Sequence, residues 1–309
     1  MLSFLTEPGF PKAAIGIDAD SISVVSIQNE GRGRCGLKQA AAVDLPKGLL
    51  VSGFLEKNLA DPSQFRVILE EAVASAGMLN QREWSISLPS NTARTAILTI
   101  ENGGKGETEE VIEWKAEQAF GAPASQLRIS LKKLSSSETG KLRFMATAVK
   151  LAVLDEYETV FESLNWKTGL ILPRVLSESN WLTNTVKLAD SMLISGQNDG
   201  FTAMLFRGND PLVVRNVTCT PAERDDEIYR LLMFYNDRFA DQDAGTSLAA
   251  VLAIGNDLAP EKLRKISTEA YGTAVNVLGP DDIGFQLPHS NTIRFDTVAA
   301  PAGLASLGL

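Results

Sequence analysis

Apolar and polar positions alternate through the segment AIGIDADSISVVSIQ, from Ala14 to Gln28. One apolar run (Ala14, Ile15, Ile17) ends at Asp18, a polar turn follows (Ala19, Asp20, Ser21), and a second run starts at Ile22 and continues through Val24, Val25 and Ile27. The pattern predicts strand, turn and strand. A third strand is expected from Leu37 to Val43, ahead of the turn residues Leu45-Pro46-Lys47-Gly48. The spacing then becomes helical. Asp61 caps a helix with Pro62 in its first turn; Phe65, Ile68, Leu69, Val73 and Ala76 share a face, and Gly77 ends it. Trp84 to Leu88 and Arg94 to Ile100 alternate as strands do. Thr108 to Phe120 predicts a helix capped by Thr108, with Glu109 and Glu110 near its positive end and a stripe of Val111, Ile112, Ala116, Ala119 and Phe120. Leu127 to Leu134 and Leu142 to Val149 read as a hairpin around SSSETGK.

The second half repeats this grammar. A helix is expected over Ala152 to Asn165, and a second over Ser177 to Leu182. Ser191 to Ser195 pairs with Phe201 to Phe206 across the turn SGQNDG, and Leu212 to Val217 adds a third strand. This echoes residues 14 to 43 and suggests an approximate internal duplication. A helix (Ala222 to Phe239), a very apolar strand (Leu248 to Ile254), a helix (Glu261 to Tyr271), a short strand (Val275 to Leu278) and a final helix (Val298 to Leu307) complete the chain.

With 309 residues, 44% hydrophobic and 22% charged, the chain has a globular composition and length for two lobes. Its net charge of −9 disfavours nucleic acid and bare anionic lipid as partners. Two distant cysteines, Cys35 and Cys219, argue against a disulfide framework or thiolate zinc site. The one histidine, His289, lies in a Pro-His-Ser-Asn loop, which reads as a solvated side chain; no G-x-S-x-G accompanies it. No run approaches the ~18 apolar residues of a membrane span, and the N-terminus lacks the basic leader of a secretory signal. A cytoplasmic location follows as the expectation.

The chemistry centres on turns. Asp18, Asp20, Ser21 and Ser23 in the first hairpin, Asp199 and Gly200 in the second, and Gly255 and Asn256 after the late strand are the candidate nucleotide-binding positions. Small turn residues let backbone N–H groups approach phosphate, and an acid holds a metal-bound water.

The order of these segments resembles the PilM family, actin-like cytoplasmic proteins of type IV pilus assembly related to FtsA. GIDADSISVVSIQ is similar to that family's opening hairpin, SISLPSNTARTAILTI to the exit into its inserted subdomain, and EEVIEWKAEQAF to its Glu-rich helix. RFMATAVKLAVLDEYETVFESLNWKTGLILP and DTVAAPAGLASLGL resemble its later strand–helix–strand and terminal helix. The resemblance implies an α/β, actin-like (ribonuclease H-like) two-lobe fold with a small inserted α+β subdomain. The implied boundaries are 1–88 and 150–186 for the first lobe, 89–149 for the insertion and 187–309 for the second lobe, with a reduced adenosine-side lid near 218–247.

The chain departs from the family inside the nucleotide site. Asp20 replaces a glycine, so a carboxylate faces where phosphate would lie. Ser195-Gly196-Gln197 lacks the second acid, Asp199 is displaced from it, and Asn256-Asp257 replace a glycine stretch. The resemblance therefore implies a vestigial nucleotide site, no catalytic residue and no cofactor; the alternative is a working ATPase using ATP and magnesium. The implied partner is a PilN-like inner-membrane protein whose cytoplasmic tail docks near Leu88, Pro89, Arg94, Ile97 and Trp114. Arg94 to Ile100 is expected to offer an open strand edge, the acidic surface to suit a basic tail, and Trp114 to pack on the neighbouring hairpin. A type II secretion scaffold and a sugar-kinase-like phosphotransferase are the remaining alternatives.

Overall fold

Each of the two predicted three-strand meanders seeds its own sheet in the computed structural model, which describes residues 9–31, 33–101, 105–136, 140–185, 189–239, 247–288 and 293–309. The readings placed on the N-terminal residues 1–8 and on His289 lie outside the described residues. In chain order the elements are β1 (Ala13–Ile17), β2 (Ser21–Gly31), β3 (Arg34–Asp44), α1 (Pro62–Ser75), β4 (Glu83–Leu88), β5 (Ala93–Ile100), α2 (Lys105–Phe120), β6 (Leu127–Leu134) and β7 (Leu142–Lys150). They continue as α3 (Leu151–Ser163), β8 (Lys167–Pro173), α4 (Arg174–Thr185), β9 (Asp190–Gln197), β10 (Gly200–Arg207), β11 (Asp210–Thr218) and α5 (Arg224–Arg238). The last are β12 (Leu248–Ile254), α6 (Pro260–Tyr271), β13 (Asn276–Leu278), β14 (Phe285–Gln286) and α7 (Phe295–Ala305).

The first sheet runs β14-β3-β2-β1-β4-β8 and the second β11-β10-β9-β12-β13. Apart from β14, both follow one plan: an antiparallel meander whose first strand then pairs in parallel with a later one, Ala14 with Ser85 in the first sheet and Val251 with Met192 in the second. The duplication read from the sequence is thus a duplication of topology. A third sheet, β5-β7-β6, is antiparallel and packs on α2 around Leu98, Ala116, Phe120, Leu127, Ala146 and Ala148, forming the inserted α+β unit.

The period-two pattern of β1 explains the layering. Ala13, Ile15 and Ile17 point to a core shared with α1 and α3, centred on Phe65, Trp84, Tyr157 and Phe161. Ala14 points the other way, into a layer holding α4 and α7 between the two sheets, with Trp181, Leu193, Leu252, Phe285 and Val298. The outer face of the second sheet is covered by α5 and α6 through Ile228, Leu231, Tyr235, Leu263 and Ile266. The residues on the inner face of β1 are small because α7 comes close: a Cβ on Gly16 would sit 2.8 Å from Pro301 Cδ.

Local signals act as expected in several places. Asp61 Oδ1 accepts from the backbone N–H groups of Ser63 and Gln64, at 2.9 and 3.0 Å, capping α1. On α2, Ile112, Ala116 and Phe120 are buried, whereas Val111 and Ala119 of the expected stripe are exposed; a single small sheet needs only a narrow seam. The helix begins at Lys105, before the expected cap at Thr108. β14, which the sequence reading lacks, pairs Phe285 with Cys35. Part of the segment assigned to the second lobe thereby completes the first sheet.

A buried polar knot mounts the insertion on the first lobe. Asn58 Oδ1 accepts from Thr92 Oγ1 (2.9 Å) and from the Tyr157 hydroxyl (3.2 Å), and Glu156 accepts from the backbone N–H groups of Asn58 and Leu59. The same loop sends Phe54 into the insertion's core.

The contact between α4 and α7 yields a stability prediction. A Cβ on Gly303 would lie 2.3 Å from the Ser177 carbonyl oxygen and 2.9 Å from Trp181 Nε1. Gly303→Ala should lower stability by about 1–3 kcal/mol through overpacking, measured by urea unfolding. Gly53→Ala, where a Cβ meets nothing within 4 Å, should be close to neutral.

Candidate functional site

At one end of the α4–α7 layer the two hairpin turns face each other across a cleft of about 240 Å³. The end of β1 and the start of β2 supply Asp18, Asp20, Ser21 and Ser23; the end of β12 supplies Gly255, Asn256 and Asp257; β9 and its turn supply Gly196, Gln197 and Asn198. Six of the eight candidate nucleotide-binding residues are therefore brought together. Asp199 and Gly200 do not line the cleft. Asp199 accepts from Asn91 Nδ2 at 3.1 Å. Gly200 answers a packing need: φ is +147° and a Cβ would fall 1.9 Å from the Val217 carbonyl oxygen. The turns themselves touch, with Asn198 Nδ2 3.5 Å from Asp20 Oδ2.

Two arginines that the sequence reading did not select dominate the cleft. Arg174, the first residue of α4, forms an ion pair with Asp18 and donates from Nε to Glu178 Oε1 at 2.8 Å. Arg224, the first residue of α5, donates to the Gln197 carbonyl at 2.6 Å and to Asp257 Oδ2 at 3.1 Å. Its Nε is buried without a hydrogen-bond partner. Glu178 has no exposed side-chain surface, and burial raises its pKa against the opposing pull of the Arg174 guanidinium. Arg174 stays cationic because Asp18, Glu178 and Asp296 outweigh its desolvation. One signal for this pair stands in the sequence: Arg174 and Glu178 are four apart in the otherwise mostly apolar stretch ILPRVLSES, the spacing of an intrahelical ion pair.

This geometry restricts the chemistry. Both oxygens of Asp18 are engaged, Oδ2 by Arg174 and Oδ1 by the Ala19 N–H at 2.9 Å. Four aspartates (Asp18, Asp20, Asp257, Asp296) line the cleft against two arginines, an excess of negative charge. Its volume falls below the ~300–1,000 Å³ usual for small-molecule pockets. Among the described residues no group of three or more His, Cys, Asp or Glu side chains has the placement to hold a metal ion.

A larger cavity, about 500 Å³, lies on the other side of α4. β8 forms its floor from Thr168 to Pro173, and β8 is the last strand of the first sheet, so one edge of it is unpaired. The insertion contributes Arg128, Ser130 and Lys132 from β6 with their cross-strand partners Val149, Thr147 and Met145 from β7. Leu88, Leu154, Leu176, Met204 and Phe206 complete an apolar lining.

Of the five expected partner-binding residues, only Leu88 lines this groove. Pro89 lies just beyond β4 and outside the lining. Arg94 turns to the other face of the inserted sheet, donating to the Phe120 carbonyl at 2.6 Å and covering the Phe54 ring at 4.5 Å. Ile97 pairs with Met145; β5 is an edge strand of its sheet, with β11 nearby, but of its residues only Ala93 lines the groove, whose floor is formed by the edge strand β8. Trp114 is 58% exposed on α2 instead of packed on the hairpin. The groove's charged residues are Arg128, Lys132 and Glu158, so the acidity of the whole chain does not extend to it.

Two sheets built on one strand order, with paired helices between them and a cleft at the facing hairpin turns, define an actin-like, two-lobe fold. Within that class the fold is similar to that of a chain of the PilM–PilN type IV pilus biogenesis complex, which superposes with a TM-score of 0.75 at 16% identity, over 97% of this chain and 99% of that one. Lower similarity is found to the cytoplasmic domain of EpsL from the type II secretion system of Vibrio cholerae (TM-score 0.47, 10% identity, 91% and 87% covered). A Bacteroides thetaiotaomicron protein with an actin-like ATPase fold gives 0.45, at 11% identity with 97% and 98% covered. No protein-family model and no curated protein matches the sequence.

Removing Arg174 should expose the cost of the buried acid. Arg174→Met leaves Glu178 buried without its cation, which should cost about 3–5 kcal/mol near neutral pH. A carboxyl whose folded pKa is raised stabilises the fold below its unfolded pKa of about 4.3 and loses that contribution as pH climbs through the folded value. The deficit should therefore be larger at pH 8 than at pH 5 in urea unfolding, and Arg174→Met/Glu178→Gln should flatten the difference.

Proposed function

We propose that this chain is a cytoplasmic actin-fold scaffold of type IV pilus assembly that binds the cytoplasmic N-terminal tail of a PilN-like inner-membrane protein and does not hydrolyse ATP. The observation that carries the reading is the apolar groove of about 500 Å³ with the unpaired edge of β8 along its floor. An extended segment gains backbone hydrogen bonds from such an edge, and side-chain pockets supply selectivity. The PilM-like fold supplies the system: the solved relative is described as a complex with PilN in pilus biogenesis. Among the described residues no helix is long and apolar enough to cross a membrane, so attachment through a partner suits the chain.

The cleft supports the second half of the proposal. Asp18 already has a cation in Arg174, and Asp20 places a carboxylate at the turn where phosphate would approach. A triphosphate would enter against an excess of aspartates, with Asp18, the acid expected to orient a metal-bound water, already paired to Arg174.

Calorimetric titration with a synthetic peptide copying the cytoplasmic tail of the PilN-like protein from the same organism tests the first half. Wild type should bind, and Leu170→Arg, which fills the groove floor, should weaken binding at least about tenfold, or 1.4 kcal/mol. Unchanged binding in that variant would place the peptide elsewhere. Mg-ATP should give neither heat nor a shift in unfolding temperature; phosphate release with a ligand-induced shift would restore the ATPase reading.

A further inference from the structure

We infer that the groove selects an extended partner segment in which apolar side chains alternate with carboxylates, the acids being read by Arg128 and Lys132. The inference rests on the groove reading proposed above and adds the chemistry of the occupant. Arg128 and Lys132 are exposed, lie on one face of β6 and lack an ion-pair or hydrogen-bond partner among the described residues. They stand four residues apart, roughly 13 Å along the strand. Ser130 between them is short and neutral and brings no countercharge. The same groove is lined from β8 and α4 by Leu170, Leu172 and Leu176, which are apolar.

An extended peptide sends successive side chains to opposite sides. Lying along β8, it presents one row to the leucines and the other to β6. Carboxylates in the second row meet two unpaired cations; lysines there would meet like charge. Glu158 is the lining's single acid and sits on α3 rather than on β6, so the local balance remains positive.

Three fluorescently labelled peptides provide the test. Each has leucine at alternate positions and serine elsewhere, with two sites four residues apart occupied by aspartate, asparagine or lysine. Fluorescence anisotropy at low salt should rank aspartate above asparagine above lysine, with about three- to tenfold between neighbours, as expected for partly screened ion pairs. Arg128→Ser/Lys132→Ser changes only exposed side chains; it should erase the ranking, bringing the three peptides' affinities together. Equal binding of the three, a preference for lysine, or a preference for aspartate that survives in the double variant overturns the inference. Leu170→Arg separates the two levels. If it abolishes binding while charge proves irrelevant, only the acidic selectivity falls. If it leaves binding intact, or none of the peptides binds wild type, the groove reading falls as well.

Discussion

The close approach of α4 and α7 between the two sheets is the constraint on which the rest of the structure depends. Two helices can share that layer only where their backbones nearly touch, and Gly303 against the Ser177 carbonyl is such a point. Gly16 performs the same service for β1 beneath Pro301. Interiors pack at crystal-like density, so a methyl group at either place has no room to enter. The cleft is the space left at one end of this layer. The groove lies on the opposite flank of α4, bounded by β8 and the inserted sheet. Both are by-products of how tightly one pair of helices is seated.

The cleft is also where the structure carries its most concentrated buried charge. A free carboxylate in a low-dielectric site is costly, and its countercharge can come from a diffusing ion or from the chain itself. Here it comes from the chain. Arg174 connects Asp18 at the first hairpin to Glu178 inside α4, and Arg224 joins the Gln197 carbonyl to Asp257 on the second sheet. Each guanidinium spreads several fixed donors over two acceptors, a role suited to arginine rather than lysine.

Much of the fold was legible because its elements are strongly periodic. The alternation in β1 and β2, the Asp61–Pro62 start of α1 and the apolar face of α5 each follow from local physics. β14 was illegible for the converse reason: a two-residue strand has no period, and its partner, β3, lies some 250 positions earlier in the chain. In the site, small and acidic turn residues announced six of the cleft's members, since phosphate-type turns share that composition. Arg174 and Arg224 did not announce themselves, because an arginine at a helix start ordinarily reads as solvated charge. The partner residues were chosen around β5, whose sequence suggests a strand but cannot reveal which neighbour flanks it. Only the tertiary arrangement lays β8 rather than β5 along the groove floor.

The seam formed by β14 has a consequence for synthesis. Residues 13 to 44 leave the ribosome with an apolar underside some 240 residues ahead of β14, the strand that borders β3, and of α7, the helix that roofs β1 and β2. Domains generally fold as units while they leave the ribosome. This one must hold an unfinished, oily surface open until β14 and α7 follow, and it closes like a drawstring bag when that late segment is pulled through the mouth.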